Sequence, residues 1–158
     1  YNFNKPVLVV EAELKKDGST SGRRSAYAIS TAIPSKTAKE KFWAELQAPG
    51  DIPVSFLMTA AGTFHTPNQP DFSKAFVDPF FEAVKKTKWA ESDHLVDIYF
   101  DKLFPVSVCS KALWKKSEKE MKTAKTLTPM AKRAWSEAND ELARCVSIRE
   151  NVSVKKAL

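Results

Sequence analysis

Two cysteines are the residues whose chemistry this sequence declares most openly. Cys109 and Cys145 stand at equal distances along the chain from Leu127. Leu127 lies in Lys125-Thr126-Leu127-Thr128-Pro129, the turn between the two strongest helical segments, 106–125 and 129–147. Thr128 reads as a helix cap and Pro129 as a first helical residue, where its missing donor costs nothing. In the second segment Ala131, Ala134, Trp135, Ala138, Leu142 and Cys145 recur at three- and four-residue steps, one face of a helix. Leu113, Trp114, Ser117, Met121 and Ala124 form the matching side of the first segment, with Cys109 at its flank. Folded antiparallel about Leu127, the helices bring both cysteines to the same height. A bridge requires Cα atoms about 4.4–6.8 Å apart. The placement therefore predicts a disulfide stapling the open end of a helical hairpin, restricting the unfolded chain by roughly 3–4 kcal/mol. Structural disulfides persist in the periplasm, the secretory lumen and outside the cell, so a periplasmic or secreted location is expected. A chain that starts at Tyr1 rather than Met fits a processed or trimmed product.

Other chemistry is sparse. The two histidines are His65 and His94, the latter beside Asp93 and Asp97. No His-x-x-x-His or paired-cysteine spacing accompanies them, so no metal and no cofactor are expected. Bridged cysteines are not nucleophiles. There is no Gly-x-Ser-x-Gly elbow and no glycine-rich phosphate loop. Carboxylates that cooperate in acid–base work are brought together in space, so a small secreted or periplasmic hydrolase with dispersed acidic and histidine residues is one alternative. A carrier of a small apolar ligand, built around the ten phenylalanines, is a second.

Two features point to binding. Lys111, Lys115, Lys119 and Lys122 share roughly 80° of helix arc, opposite the apolar side, and Glu118 stands within pairing distance of Lys122 along the helix. The segment 62–72 reads as a loop carrying Phe64, His65, Asn68 and Gln69, a mixture of aromatic and amide groups that a rigid scaffold can display. The net charge of +6 suits an acidic protein partner. Nucleic acid is not expected, because lysine outnumbers arginine and bidentate phosphate recognition favours arginine. Asn151-Val152-Ser153 matches a glycosylation acceptor pattern.

The elements that must position these groups follow from periodicity. At 158 residues, with 43% hydrophobic and 28% charged residues, the chain reads as a single globular domain, 1–158. No apolar run approaches the roughly 18 residues that span a bilayer. Four glycines argue against many tight turns and for a substantial helical share. Residues 6–15 begin as a β-branched run and end in alternation, residues 26–33 alternate large and small, and residues 53–60 place Val54, Phe56 and Met58 on one face. These read as strands, with Asp17 to Gly22 as a hairpin loop. Thr37 to Glu40 has the spacing of a capping box, with Pro49-Gly50 ending the helix that follows. Asp78-Pro79 opens another helix. Residues 93–104 fit either strand or helix, with a break at Pro105. The expected fold is α+β, a small N-terminal antiparallel sheet with several helices and a C-terminal stapled hairpin. The expected function is a non-catalytic extracytoplasmic protein-binding module, in its most concrete form an inhibitor or immunity-type protein that occludes a secreted effector.

Overall fold

The structure is a computed structural model that describes residues 4–87 and 92–156, with side chains for 10–87 and 92–152. Among the described residues every element is helical and there is no strand, so the expected N-terminal sheet is replaced by helices. The chain divides into two compact units, Tyr1–Phe72 and Ser73–Leu158.

The first unit contains α1 (Asn4–Lys16), α2 (Thr20–Ala32), α3 (Lys36–Gln47) and α4 (Val54–Ala61). Each of the three expected strands is a helix here, and the reason differs in each. In α2 the alternation of Tyr27, Ile29, Thr31 and Ile33 against small residues is coincidental. The buried pair is Ala28 and Thr31, spaced three apart, while Ile29 is 43% exposed. Alanines at the intervening positions favour the helix intrinsically. In α4 the inward residues are Leu57, Ala60 and Ala61, and Val54 faces outward. In α1 the spacing of half-buried Val10 and Leu14 is four residues, a helical step.

The expected hairpin loop is a helix start. Asp17 Oδ1 accepts from the Ser19 amide at 3.0 Å, and Ser19 Oγ caps α2 by accepting from the Gly22 amide at 3.1 Å. The two Ser19 groups hold the Asp17 carboxyl below its usual range. Gly22 is required by contact: a Cβ there would lie well short of van der Waals contact distance from the Asp17 carbonyl oxygen. Helix α3 is capped by Ser35, whose Oγ accepts from the Ala38 amide, rather than by the Thr37 box. It ends before Pro49-Gly50 as expected, with Gly50 at φ +53°.

Helices α2 and α4 run parallel. Tyr27 meets Phe56 with ring centroids 6.0 Å apart, and one turn further on Thr31 Oγ1 donates to the Ala60 carbonyl at 2.9 Å. The intervening α3 returns the chain. Tyr27 packs edge-on to Phe42 at 6.3 Å, and its hydroxyl donates to Glu45 Oε2 at 2.7 Å. Burial and that carboxylate raise the phenol above its ordinary range.

Helix α5 (Pro70–Ala75) runs across the division. The second unit continues with α6 (Val77–Lys86), α7 (Asp93–Val96), a π-helical turn Asp97–Lys102, a 3₁₀ turn Val106–Val108, α8 (Lys111–Thr123) and α9 (Pro129–Lys156). Helix α6 starts one residue before Asp78, which sits in its first turn instead of capping it. Of the ambiguous segment 93–104, residues 93–102 are helical and a bend leads to Pro105. Trp135 of α9 lies between Phe81 and Phe100, stacked at 6.0 and 5.4 Å, and its indole N–H donates to Ser117 Oγ at 2.9 Å. Phe80 meets Phe81 and Phe104 edge-on at 5.3 and 5.5 Å, arrangements the ring quadrupole favours.

The stapled hairpin is present. Cys109 and Cys145 are bridged with Cα atoms 5.7 Å apart. The first helix is shorter than the expected 106–125: α8 begins at Lys111, and Cys109 precedes it in a left-handed conformation, φ 43° and ψ 57°. Cys109 is thus in the connection that leads into the helix, not on its flank.

Candidate functional site

The lysine face forms because Ser110 fixes where α8 starts. Its Oγ accepts from the Leu113 amide at 3.2 Å, which sets the rotation of every later residue. With Leu113 and Ser117 turned inward, Lys111, Lys115, Lys119 and Lys122 are all exposed. Lys111 pairs with Glu150 of α9 at 3.2 Å. Among the described residues Lys115, Lys119 and Lys122 make no ion pair within 4.0 Å, and Glu118 does not engage Lys122. Neighbouring Lys116 belongs to the interior edge instead. It reaches Asp78 at 2.5 Å and lies 5.6 Å from the centre of the Phe81 ring. Lys85 of α6 bridges Glu82 at 3.0 Å and Glu120 of α8 at 3.1 Å. These pairs tie α8 to α6 on one side while the staple ties it to α9 on the other.

The loop is not the displayed platform expected from sequence. Phe64 is 2% exposed and packs against Phe42 at 5.4 Å and Trp43 at 5.9 Å. A ring that size is buried because two aromatic neighbours on α3 receive it, so Phe64 cannot serve as an exposed anchor. His65 is half-buried with its ring 4.9 Å from that of Phe64. Gln69 turns back, its Nε2 donating to the Ala32 carbonyl at 3.0 Å. Asn68 alone of the four is exposed. Asp93, His94 and Asp97 are exposed on α7 and the turn after it, and among the described residues no three His, Cys, Asp or Glu groups converge as a metal site requires. Asn151 is exposed on α9; the side chain of Ser153 lies outside the described residues.

The residue that sequence reasoning missed is Lys39. It is fully buried, at 0% exposure. Its Nζ donates to the Thr31 carbonyl at 2.6 Å and to the Phe64 carbonyl, and it stands 5.0 Å from the Phe64 ring centre. Burial pushes the ammonium down to about 8. Beside it Thr31 Oγ1 and Thr63 Oγ1 share a short contact of 2.5 Å, and Thr63 Oγ1 lies 2.8 Å from the Ala28 carbonyl. The signal was available: stepping back three residues along the stripe of Leu46 and Phe42 lands on Lys39, a charge at a core position.

Two clefts accompany these features. One, of about 280 Å³, lies between α1 and α2, where Leu14, Ala26 and Ile29 face Glu13, Asp17 and Ser25. The other, of about 380 Å³, lies between the π-helical turn and α9, with Asp97, Asp101, Glu137, Glu141 and Arg144 around Phe100 and Ala138. Asp101 is engaged by Lys102, and Glu137 by Arg133 at 2.8 Å. No helix of the described residues is long and apolar enough to cross a membrane. The chain matches no protein-family model and no curated protein sequence, so its functional reading rests on this geometry.

Proposed function

We propose that the protein is a non-catalytic binding module of the periplasm or secreted space that docks an acidic protein partner through Lys111, Lys115, Lys119 and Lys122. In its most concrete form it is an inhibitor or immunity-type protein that occludes a secreted effector. The observation that carries the reading is the exposed lysine face on a helix held from both sides, by α6 ion pairs and by the Cys109–Cys145 bridge. Among the described residues three of its four ammonium groups have no carboxylate within 4.0 Å, so little attraction among those residues is lost when a partner arrives. Burial of Phe64 removes the aromatic alternative and shifts the weight onto this face. The bridge supports the compartment, since such bonds persist under oxidising conditions.

The test is capture of the partner from the native compartment, followed by association kinetics. The association rate should fall at least about tenfold between about 0.05 and 0.5 M salt, as the Debye length contracts. Lys115→Glu/Lys119→Glu/Lys122→Glu should abolish association while the circular dichroism spectrum stays unchanged. A captured protein that binds the triple variant at the original rate, or a nucleic acid recovered in its place, overturns the reading.

A further inference from the structure

Cys109 is the one residue other than glycine, among those described, with positive φ. A left-handed backbone brings Cβ against the following carbonyl oxygen, so any residue with a side chain is held there against its preference. Among the described residues two hydrogen bonds reach the Cys109 backbone. Its amide donates to the Val106 carbonyl at 2.9 Å, and its own carbonyl accepts a long 3.4 Å bond from Arg149 Nη1. The exposed Lys111–Glu150 pair adds little. To these and to the packing of buried Cys109 and Val108 is added the covalent bond to Cys145 on α9. The bend at Cys109 aims Ser110, and Ser110 caps α8 through the Leu113 amide and, with its carbonyl, the Trp114 amide at 3.0 Å. The staple and the start of the lysine-bearing helix are therefore one mechanical unit.

We infer that the Cys109–Cys145 bridge is a redox latch: it keeps Cys109 left-handed and the first turn of α8 seated on α9, and reduction by a dithiol releases that turn. Cys109 is buried whereas Cys145 is half-exposed, so attack falls on the Cys145 sulfur. A thiolate of the dithiol bonds to Cys145, the S–S bond breaks, and Cys109 leaves as a thiolate that takes up a proton. The second thiolate of the dithiol then displaces Cys145, which leaves and is protonated in turn. Two electrons and two protons pass to the protein, and the dithiol ends as a cyclic disulfide. With the bond gone, Cys109 relaxes to negative φ, Ser110 swings, and Lys111 and Lys115 lose their fixed positions. The latch stands apart from the docking reading; its effect on partner binding rests on that reading.

Hydrogen exchange tests it on the intact chain, oxidised and after treatment with dithiothreitol. Reduction should speed exchange at the Cys109, Leu113 and Trp114 amides by about tenfold or more, while amides from Trp135 to Leu142 stay within about twofold. Two double variants then isolate the left-handed residue. Cys109→Ser/Cys145→Ser should match the reduced protein. Cys109→Gly/Cys145→Ser should retain the protection of the oxidised form, because glycine adopts positive φ without strain. Unchanged exchange on reduction overturns the latch, and equal exchange in the two double variants overturns the role given to the backbone conformation. Exchange is read without any partner, so a failure of the docking proposal leaves this measurement intact.

Discussion

Replacing Lys39 with methionine removes the charge but keeps most of the stem, and two opposing quantities set the result. The loss is hydrogen bonding: the Thr31 and Phe64 carbonyls give up a charged donor, at about 1–3 kcal/mol each when buried. The gain is relief from carrying an ammonium in the core. Its size follows from the fall of the group from 10.5 to about 8, at about 1.4 kcal/mol per pH unit. The two carbonyl bonds favour the charged form and offset part of this, so about 2 kcal/mol is a fair figure for the relief. Near pH 7 the variant should be less stable by about 2 kcal/mol. The pH dependence is the sharper test. A lysine whose folded value lies below its unfolded value destabilises the folded state fully below the folded value, and this burden lifts as pH rises. Between pH 8 and 10.5 the unfolded chain holds a proton that the folded protein has released, so stability climbs with pH. Urea unfolding between about pH 8 and 9.5 stays below the range where Tyr27, raised above its ordinary value, titrates in the folded protein. Wild type should gain up to about 2 kcal/mol over that interval, and Lys39→Met should gain nothing. A flat wild-type profile, or identical slopes for the two proteins, refutes the reasoning.

Phe64→Ala should cost about 3–5 kcal/mol of stability through loss of the ring between Phe42 and Trp43, read by chemical denaturation. Any effect of that variant on partner binding should disappear at temperatures where it remains folded. Gly22→Ala should lower stability by about 1–3 kcal/mol, because the added methyl meets the Asp17 carbonyl oxygen, which cannot swing aside, as well as the Asp17 carboxyl; a neutral result would mean the α1–α2 turn yields freely. Trp135→Phe should cost about 2–3 kcal/mol in thermal unfolding, since it strands the buried Ser117 hydroxyl, and Trp135→Phe/Ser117→Ala should recover part of that loss.

How far the residues foretell this structure depends on whether a pattern had one reading or two. The pairing of Cys109 with Cys145 needed only a turn at Leu127 and equal arms, and Thr128 and Pro129 marked that turn without ambiguity. The lysine face followed from the same helix. The strands failed because a short alternating run fits period two and period 3.6 together. Tyr27, Ile29 and Thr31 alternate, yet Ala28 and Thr31 are the residues inside. Four glycines already favoured helices, and that compositional hint outweighs alternation in segments this short. Segment 62–72 reads as display because it is loop-like and mixes aromatic with amide side chains. Its two backward ties, Gln69 to Ala32 and Lys39 to Phe64, come from residues distant in sequence and leave no local mark.

The parallel course of α2 and α4 explains how Lys39, which pairs with no carboxylate among the described residues, resides in the core. The last turns of these two helices meet where Thr31 donates to the Ala60 carbonyl, and each end carries about half a unit of negative charge from its aligned peptide dipoles. The Thr31 carbonyl belongs to the last turn of α2, and the Phe64 carbonyl follows turns that continue from Ala60 and Ala61 at the end of α4. One ammonium placed between them balances two half charges. Lys39 is therefore the counter-ion of a helix pair, and the electrical neutrality of this core depends on both helices ending at the same level.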